Sequence, residues 1–129
     1  MTHPFHSRAP ASRLGERGSV TAETAAVLPV LVVVLAAALW ALAAVGAQLA
    51  CADAARVGAR AASRGEPLDA VRQAVARIAP QGARVTIERG PASTRVEVSA
   101  GVRPTWGARL PTVTVRSAAS VSTEPGVGR

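Results

Sequence analysis

The chain has no lysine and no tyrosine, one cysteine, one phenylalanine and two tryptophans among its 129 residues. The lone Cys51 excludes an intramolecular disulfide framework. Both histidines, His3 and His6, precede residue 7, and they stand in Pro- and Arg-rich sequence where metal binding is not expected. The rest of the chain therefore has no Cys–His pair and no zinc-ligand spacing. It also has no nucleotide-binding glycine loop and no carboxylate pair at a recognisable separation. No catalytic residue, metal ligand or cofactor is expected, and an enzyme is not the anticipated class. Scarce aromatics matter too, because the net charge of +7 and a pI near 11.7 invite a nucleic-acid reading. No stacking platform or helix-turn-helix pattern accompanies that charge, so a nucleic-acid partner is not expected.

One further absence is the most telling. From Thr24 to Ala52 there is no charged side chain. As a helix this stretch would run about 43 Å at roughly 1.5 Å per residue, whereas about 20 residues cross the roughly 30 Å hydrocarbon core of a bilayer. A buried soluble helix is the competing interpretation, but the remaining sequence is too poor in large apolar residues to wrap Val30 to Leu42 on every side. Membrane lipid is the expected surrounding of this segment. Just before it stands Glu23, in the run Arg17-Gly18-Ser19-Val20-Thr21-Ala22-Glu23. A charged side chain at a bilayer centre costs on the order of 2.5–3.5 kcal/mol on insertion scales, and less near the headgroups. Two readings of Glu23 stay open: a carboxylate awaiting a positive partner, and a snorkelling or first-turn acid that complements the helix dipole.

Beyond the apolar run the helix is expected to continue through the Ala- and Arg-rich segment Asp53 to Ser63 and to stop at Gly65 and Pro67. Ala50, Ala54, Gly58 and Ala62 recur on one face, with Arg56, Arg60 and Arg64 nearly opposite. Small residues let helices approach closely, so Ala54, Gly58 and Ala62 are read as a packing face for a neighbouring helix; the plain alternative is that alanine is common throughout. Leu68, Val71, Val75 and Ile78 give a second helix from Pro67 to Ala79, closed by Pro80-Gln81-Gly82. The period then changes to two. Val85 and Ile87, and then Val96, Val98, Ala100 and Val102, alternate with polar residues around a Gly90-Pro91-Ala92-Ser93 turn, which reads as a hairpin. A loop from Pro104 to Pro111 carrying Trp106 leads to a third strand from Thr112 to about Val121, with Val113 and Val115 facing inward. The fold class is thus α+β: a long N-terminal transmembrane helix, then an amphipathic helix on a small antiparallel three-stranded sheet. Such a small domain is marginally stable by itself, and partners are expected to help hold it.

A glycine at 18, a glutamate at the fifth position after it and an apolar helix thereafter resemble the class III signal of type IV pilins, which prepilin peptidase cuts after the glycine. Val27-Leu28-Pro29 and the segment Asp53 to Arg60 are similar to the TadE-like minor pilins of tight-adherence pilus systems. At Ser19 the sequence departs from the many pilins whose mature chain starts with Phe. The resemblance implies a cleavage site at Gly18 and Ser19, and a subunit-registering role for Glu23 through pairing with the new amino terminus. It also implies prepilin peptidase, other pilin or pseudopilin subunits and the assembly machinery as partners. The arginine count is tied across the span, with Arg8, Arg13 and Arg17 before it and Arg56, Arg60 and Arg64 after. The resemblance decides for a cytoplasmic leader and a C-terminal domain outside the cytoplasmic membrane.

The expected organisation is a basic leader over residues 1–18, a transmembrane and extended helix over 19–64, a small exported α+β domain over 65–122 and a flexible tail over 123–129. The expected function is that of a minor pilin or pseudopilin; the alternative is a membrane-anchored or secreted small surface binding protein unrelated to pili. Under that alternative, a secretory signal ending at Val45-Gly46-Ala47 or at Ala50-Cys51-Ala52, or lipidation at Cys51 after Gln48-Leu49-Ala50, would process the chain elsewhere. The plainer role for Cys51 is a small apolar residue near the outer end of the helix.

Overall fold

The computed structural model describes residues 1–2, 14–107 and 109–122. The tail over 123–129, most of the leader, His3 and His6 lie outside the described residues. The elements run α1 (Leu14–Ser63), α2 (Leu68–Ala76), β1 (Arg84–Arg89), β2 (Ser93–Val102) and β3 (Val113–Ser122), an α+β arrangement. They form two compact units, Met1–Ala38 and Leu39–Arg129.

In the first unit the helix presents apolar side chains all round. Val20, Val27, Leu28, Val30 to Val34 and Leu35 are each more than half exposed, and no part of the apolar window is buried within the chain. A helix hydrophobic on every face is suited to lipid and not to water. The Thr24 hydroxyl donates to the Val20 carbonyl at 2.9 Å, so its polarity is satisfied inside the helix. Pro29 lies within α1 and lacks the N–H that the Ala25 carbonyl would otherwise accept.

In the second unit, small residues of α1 meet the inner face of the sheet and α2. The core joins Cys51, Ala54, Ala55 and Ala61 of α1 with Val71 and Val75 of α2, Val96, Val98 and Ala100 of β2, and Val115 of β3. Each fully buried valine contributes about 1.5–3 kcal/mol of hydrophobic stabilisation. The helix ends in a Schellman motif: Gly65, at φ 75°, donates to the Ala62 carbonyl at 3.1 Å, and Glu66 donates to the Ala61 carbonyl at 3.3 Å. This left-handed glycine turns the chain into Pro67 and α2.

Helix α2 is shorter than its apolar spacing suggests, ending at Ala76 rather than Ala79. The Ile78 amide bonds back to the Val75 carbonyl three residues away, which tightens the final turn, and Ile78 stays 41% exposed. The sheet has the order β1-β2-β3 and is antiparallel throughout. Val85 pairs with Val98, Ile87 with Val96, and Ala100 with Val115, which places the apolar positions of all three strands on one face. Val113 shares that face but is 39% exposed: it pairs with the half-buried Val102 at the end of the ladder, outside the covered part of the sheet.

Among the glycines of α1 the tight approach is at Gly58. A Cβ built there would stand 2.6 Å from Val75 Cγ2 and 2.9 Å from Val96 Cγ1. Gly58→Leu is therefore expected to lower stability by about 1–3 kcal/mol through overpacking. Arg60→Ala, on the exposed face, should change it by less than about 0.5 kcal/mol. Urea titration of the detergent-solubilised full chain, followed by circular dichroism, measures both; equal midpoints for Gly58→Leu and the unsubstituted chain would contradict this contact.

Candidate assembly and membrane interface

Gly18, Ser19 and Glu23 all lie on α1 in the first unit, and all are exposed. Apart from its own turn of helix, no heavy atom of the described residues lies within 4 Å of a Cβ built on Gly18, so nothing among them requires a glycine there. Ser19 and Glu23 are four residues apart, about 6 Å along the axis and on the same helical face. Among the described residues Glu23 makes no ion pair.

The small-residue face is elsewhere, in the second unit. Ala54 and Gly58 are buried and Ala62 is half-buried, but Gly58 faces Val75 and Val96 of its own chain. A neighbouring helix is the occupant that the small-residue spacing suggests; the chain's own sheet and α2 take that place, because the lack of a Cβ lets the two valine side chains reach the helix backbone. Arg56 and Arg60 point to the exposed side, with Arg56 3.3 Å from Asp53.

Cys51 is fully buried in this core. That position opposes lipidation and intermolecular disulfide formation, since both need the sulfur at a surface. It also shows what the four-residue stripe overlooks: Cys51, Ala54, Ala55 and Gly58 follow the three- and four-residue spacing of a helix face, so the cysteine lies in the seam. Gln48, which the sequence presents only as part of a lipidation-like segment, is a second residue whose role the fold supplies. Its side-chain amide donates to the Arg116 carbonyl at 2.9 Å, tying α1 to the edge strand β3. The signal for it is present, since Gln48 is the first polar side chain after Thr24.

The outer face of the sheet is polar. Glu97 lies 3.3 Å from Arg116 and 3.5 Å from Arg95, and Glu88 stands across from Arg95 in the ladder. An open groove of about 440 Å³ runs past Arg84, Thr86, Glu97, Ser99 and Arg116. Exposed pairs of this kind add little stability, typically about 0–1 kcal/mol each, and mainly set the charge pattern of the surface. Among the described residues no three His, Cys, Asp or Glu side chains lie close enough to hold a metal ion.

The third feature is a groove of about 250 Å³ between α1 and the loop joining β2 to β3. Trp40 forms one side and Trp106 the other. The sequence places Trp106 in a loop without linking it to Trp40.

One long apolar N-terminal helix with exposed side chains fits a single-pass membrane protein. Residues 18–60 match the family described as TadE-like protein, a match over a third of the chain that begins at Gly18. The chain is thus consistent with a TadE-like protein of the Tad pilus system, a family that is non-enzymatic in general. No curated protein and no solved structure matches the chain.

Burial of Cys51 has a direct test. In the folded full chain it should resist maleimide labelling, and it should react fully once urea unfolds the second unit, as read by mass spectrometry. Rapid labelling without denaturant would contradict its place in the core.

Proposed function

We propose that the protein is a minor pilin or pseudopilin, inserted in the cytoplasmic membrane through α1 with its C-terminal domain outside, cut after Gly18 by prepilin peptidase and then drawn into a tight-adherence pilus. The observation that carries this reading is the family match starting at Gly18, on a helix whose apolar surface the chain leaves uncovered. A glycine costs a helix about 1 kcal/mol relative to alanine, so the Gly18–Ser19 junction is a weak point at which the helix opens to a peptidase. Open space around Gly18 supports the view that the glycine serves the enzyme and not the fold.

Cleavage would create an amino group at Ser19, one helical turn from Glu23. The carboxylate then compensates that charge within the subunit or in a neighbour, and the neighbouring version sets the register of an entering subunit. Apolar surroundings favour such a pair, because an unpaired charge there is costly. Membrane lipid is the surrounding before assembly, and other pilin subunits replace it afterwards. The buried Ala54 and Gly58 leave this subunit contact to the apolar part of α1.

Two measurements test the proposal. N-terminal sequencing of the membrane-extracted protein should find Ser19 first; Gly18→Ala should slow processing and Gly18→Val should block it. A mature terminus at Gln48, or an unprocessed chain in assembled pili, contradicts the assignment. Glu23→Gln keeps the shape and removes the charge, so processing should persist while recovery in sheared pili falls. Unchanged recovery of the processed variant would return Glu23 to a tolerated interfacial acid.

A further inference from the structure

Both tryptophans of a chain with only one other aromatic residue line a single groove. Leu39, Trp40 and Ala43 of α1 form one wall, and Arg103, Pro104 and Trp106 form the other. The loop is held by its own bonds. The Arg103 guanidinium donates twice to the Thr112 hydroxyl, at 3.0 and 2.9 Å, which closes its base. Gly107 donates to the Pro104 carbonyl at 3.2 Å and Leu110 to the Gly107 carbonyl at 2.9 Å, so two turns follow one another. Pro104 is buried, yet Trp106 remains 58% and Leu110 38% exposed. A braced loop that presents a large indole to its surroundings calls for something to cover it.

Three observations identify the cover. Trp40 comes 17 residues into the uncharged run that starts at Thr24. At roughly 1.5 Å per residue this is about 25 Å along the helix, against a hydrocarbon core of about 30 Å. With Thr24 at one edge of the core, Trp40 thus falls about 5 Å short of the other, near the headgroup level at which tryptophan is enriched because its ring is apolar and its N–H polar. The Trp40 indole N–H is buried and has no acceptor among the described residues, and an interfacial oxygen admitted to the groove would provide one. Finally, Arg103 to Thr112 contains two arginines and no carboxylate, which suits a layer of phosphates.

We infer that the β2–β3 loop docks on the phospholipid headgroup layer at the Trp40 end of the span, with Trp106 and Leu110 entering the interface and Arg109 meeting lipid phosphate. The loop is a second membrane contact beside the helix, and it limits the freedom of the second unit before assembly. This rests on the membrane reading of α1, and the test separates the two.

The full chain is reconstituted in vesicles of mixed zwitterionic and anionic phospholipid carrying brominated acyl chains, and tryptophan emission is recorded. In Trp40→Phe, where Trp106 is the sole emitter, docking produces a blue-shifted emission quenched by bromine and protected from aqueous acrylamide. In Trp106→Phe, bromine quenching of Trp40 reports the span alone. Quenching of Trp40 without quenching of Trp106 overturns the docking and leaves the span standing; absence of both overturns the span as well. Protection of Trp106 in sheared pili but not in vesicles assigns the groove to a neighbouring subunit and also overturns the proposal. The unsubstituted chain labelled with fluorotryptophan gives the same reading without a variant: a headgroup spin-labelled lipid should broaden both fluorine resonances, and one sharp, solvent-exposed resonance counts against docking.

Discussion

Everything in the second unit depends on how near α1 comes to Val75 and Val96. At Gly58 the helix offers backbone where any other residue would offer a side chain, and the two valines occupy the space. Small residues bury little area individually, so the gain lies in close approach: many weak dispersion contacts form when the helix backbone itself becomes part of the core. Ala54, Ala55 and Ala61 continue the same surface, and Cys51 completes it. The sheet register follows from this contact, because Val96, Val98 and Ala100 must share the face that meets the helix, and a slip of one residue would turn all three outward.

A single helix carries two kinds of surface, and the difference is chemical. Between Thr24 and Gln48 it has no charged side chain, and its large apolar residues are exposed. From Gln48 onward polarity returns, but on selected faces. Gln48 bonds the Arg116 carbonyl of β3, Asp53 and Arg56 pair on the exposed side, and the small residues turn inward. The first surface needs a non-aqueous surrounding; the second makes its own. That division explains why the residues proposed for processing and registration lie in one unit while the small-residue face lies in the other, serving the fold.

Polar surface is concentrated on the outer face of the sheet, where Glu97 is held between Arg95 and Arg116. Arg56 and Arg60 add further positive charge on the exposed side of α1. The two tryptophans are the exception to an otherwise small-residue protein, and their meeting in one groove is the most specific chemistry that the second unit displays.

How much of this fold is legible in the sequence follows from the range of each interaction. Hydrophobic run length, the three- to four-residue period of Val71 and Val75, the two-residue period of Val96 and Val98, and the Gly65 stop are local properties, and the elements they imply are the elements that form. The Gly18-to-Glu23 spacing is equally local, and the family match covers it. The end of α2 is misplaced by periodicity because Ile78 fits the apolar period while its amide bonds three residues back instead of four. What the small face of α1 meets cannot be read from the helix itself: a glycine flanked by alanines permits close approach to any smooth apolar surface. Only the fold, by bringing Val75 and Val96 to Gly58, made that surface the protein's own. The sequence by itself thus determined the elements, the apolar span and the candidate processing site, because each is set within a few residues. The occupant of the Gly58 seam, the burial of Cys51, the Gln48 tie and the pairing of Trp40 with Trp106 join residues far apart in the chain, and tertiary packing alone decided them.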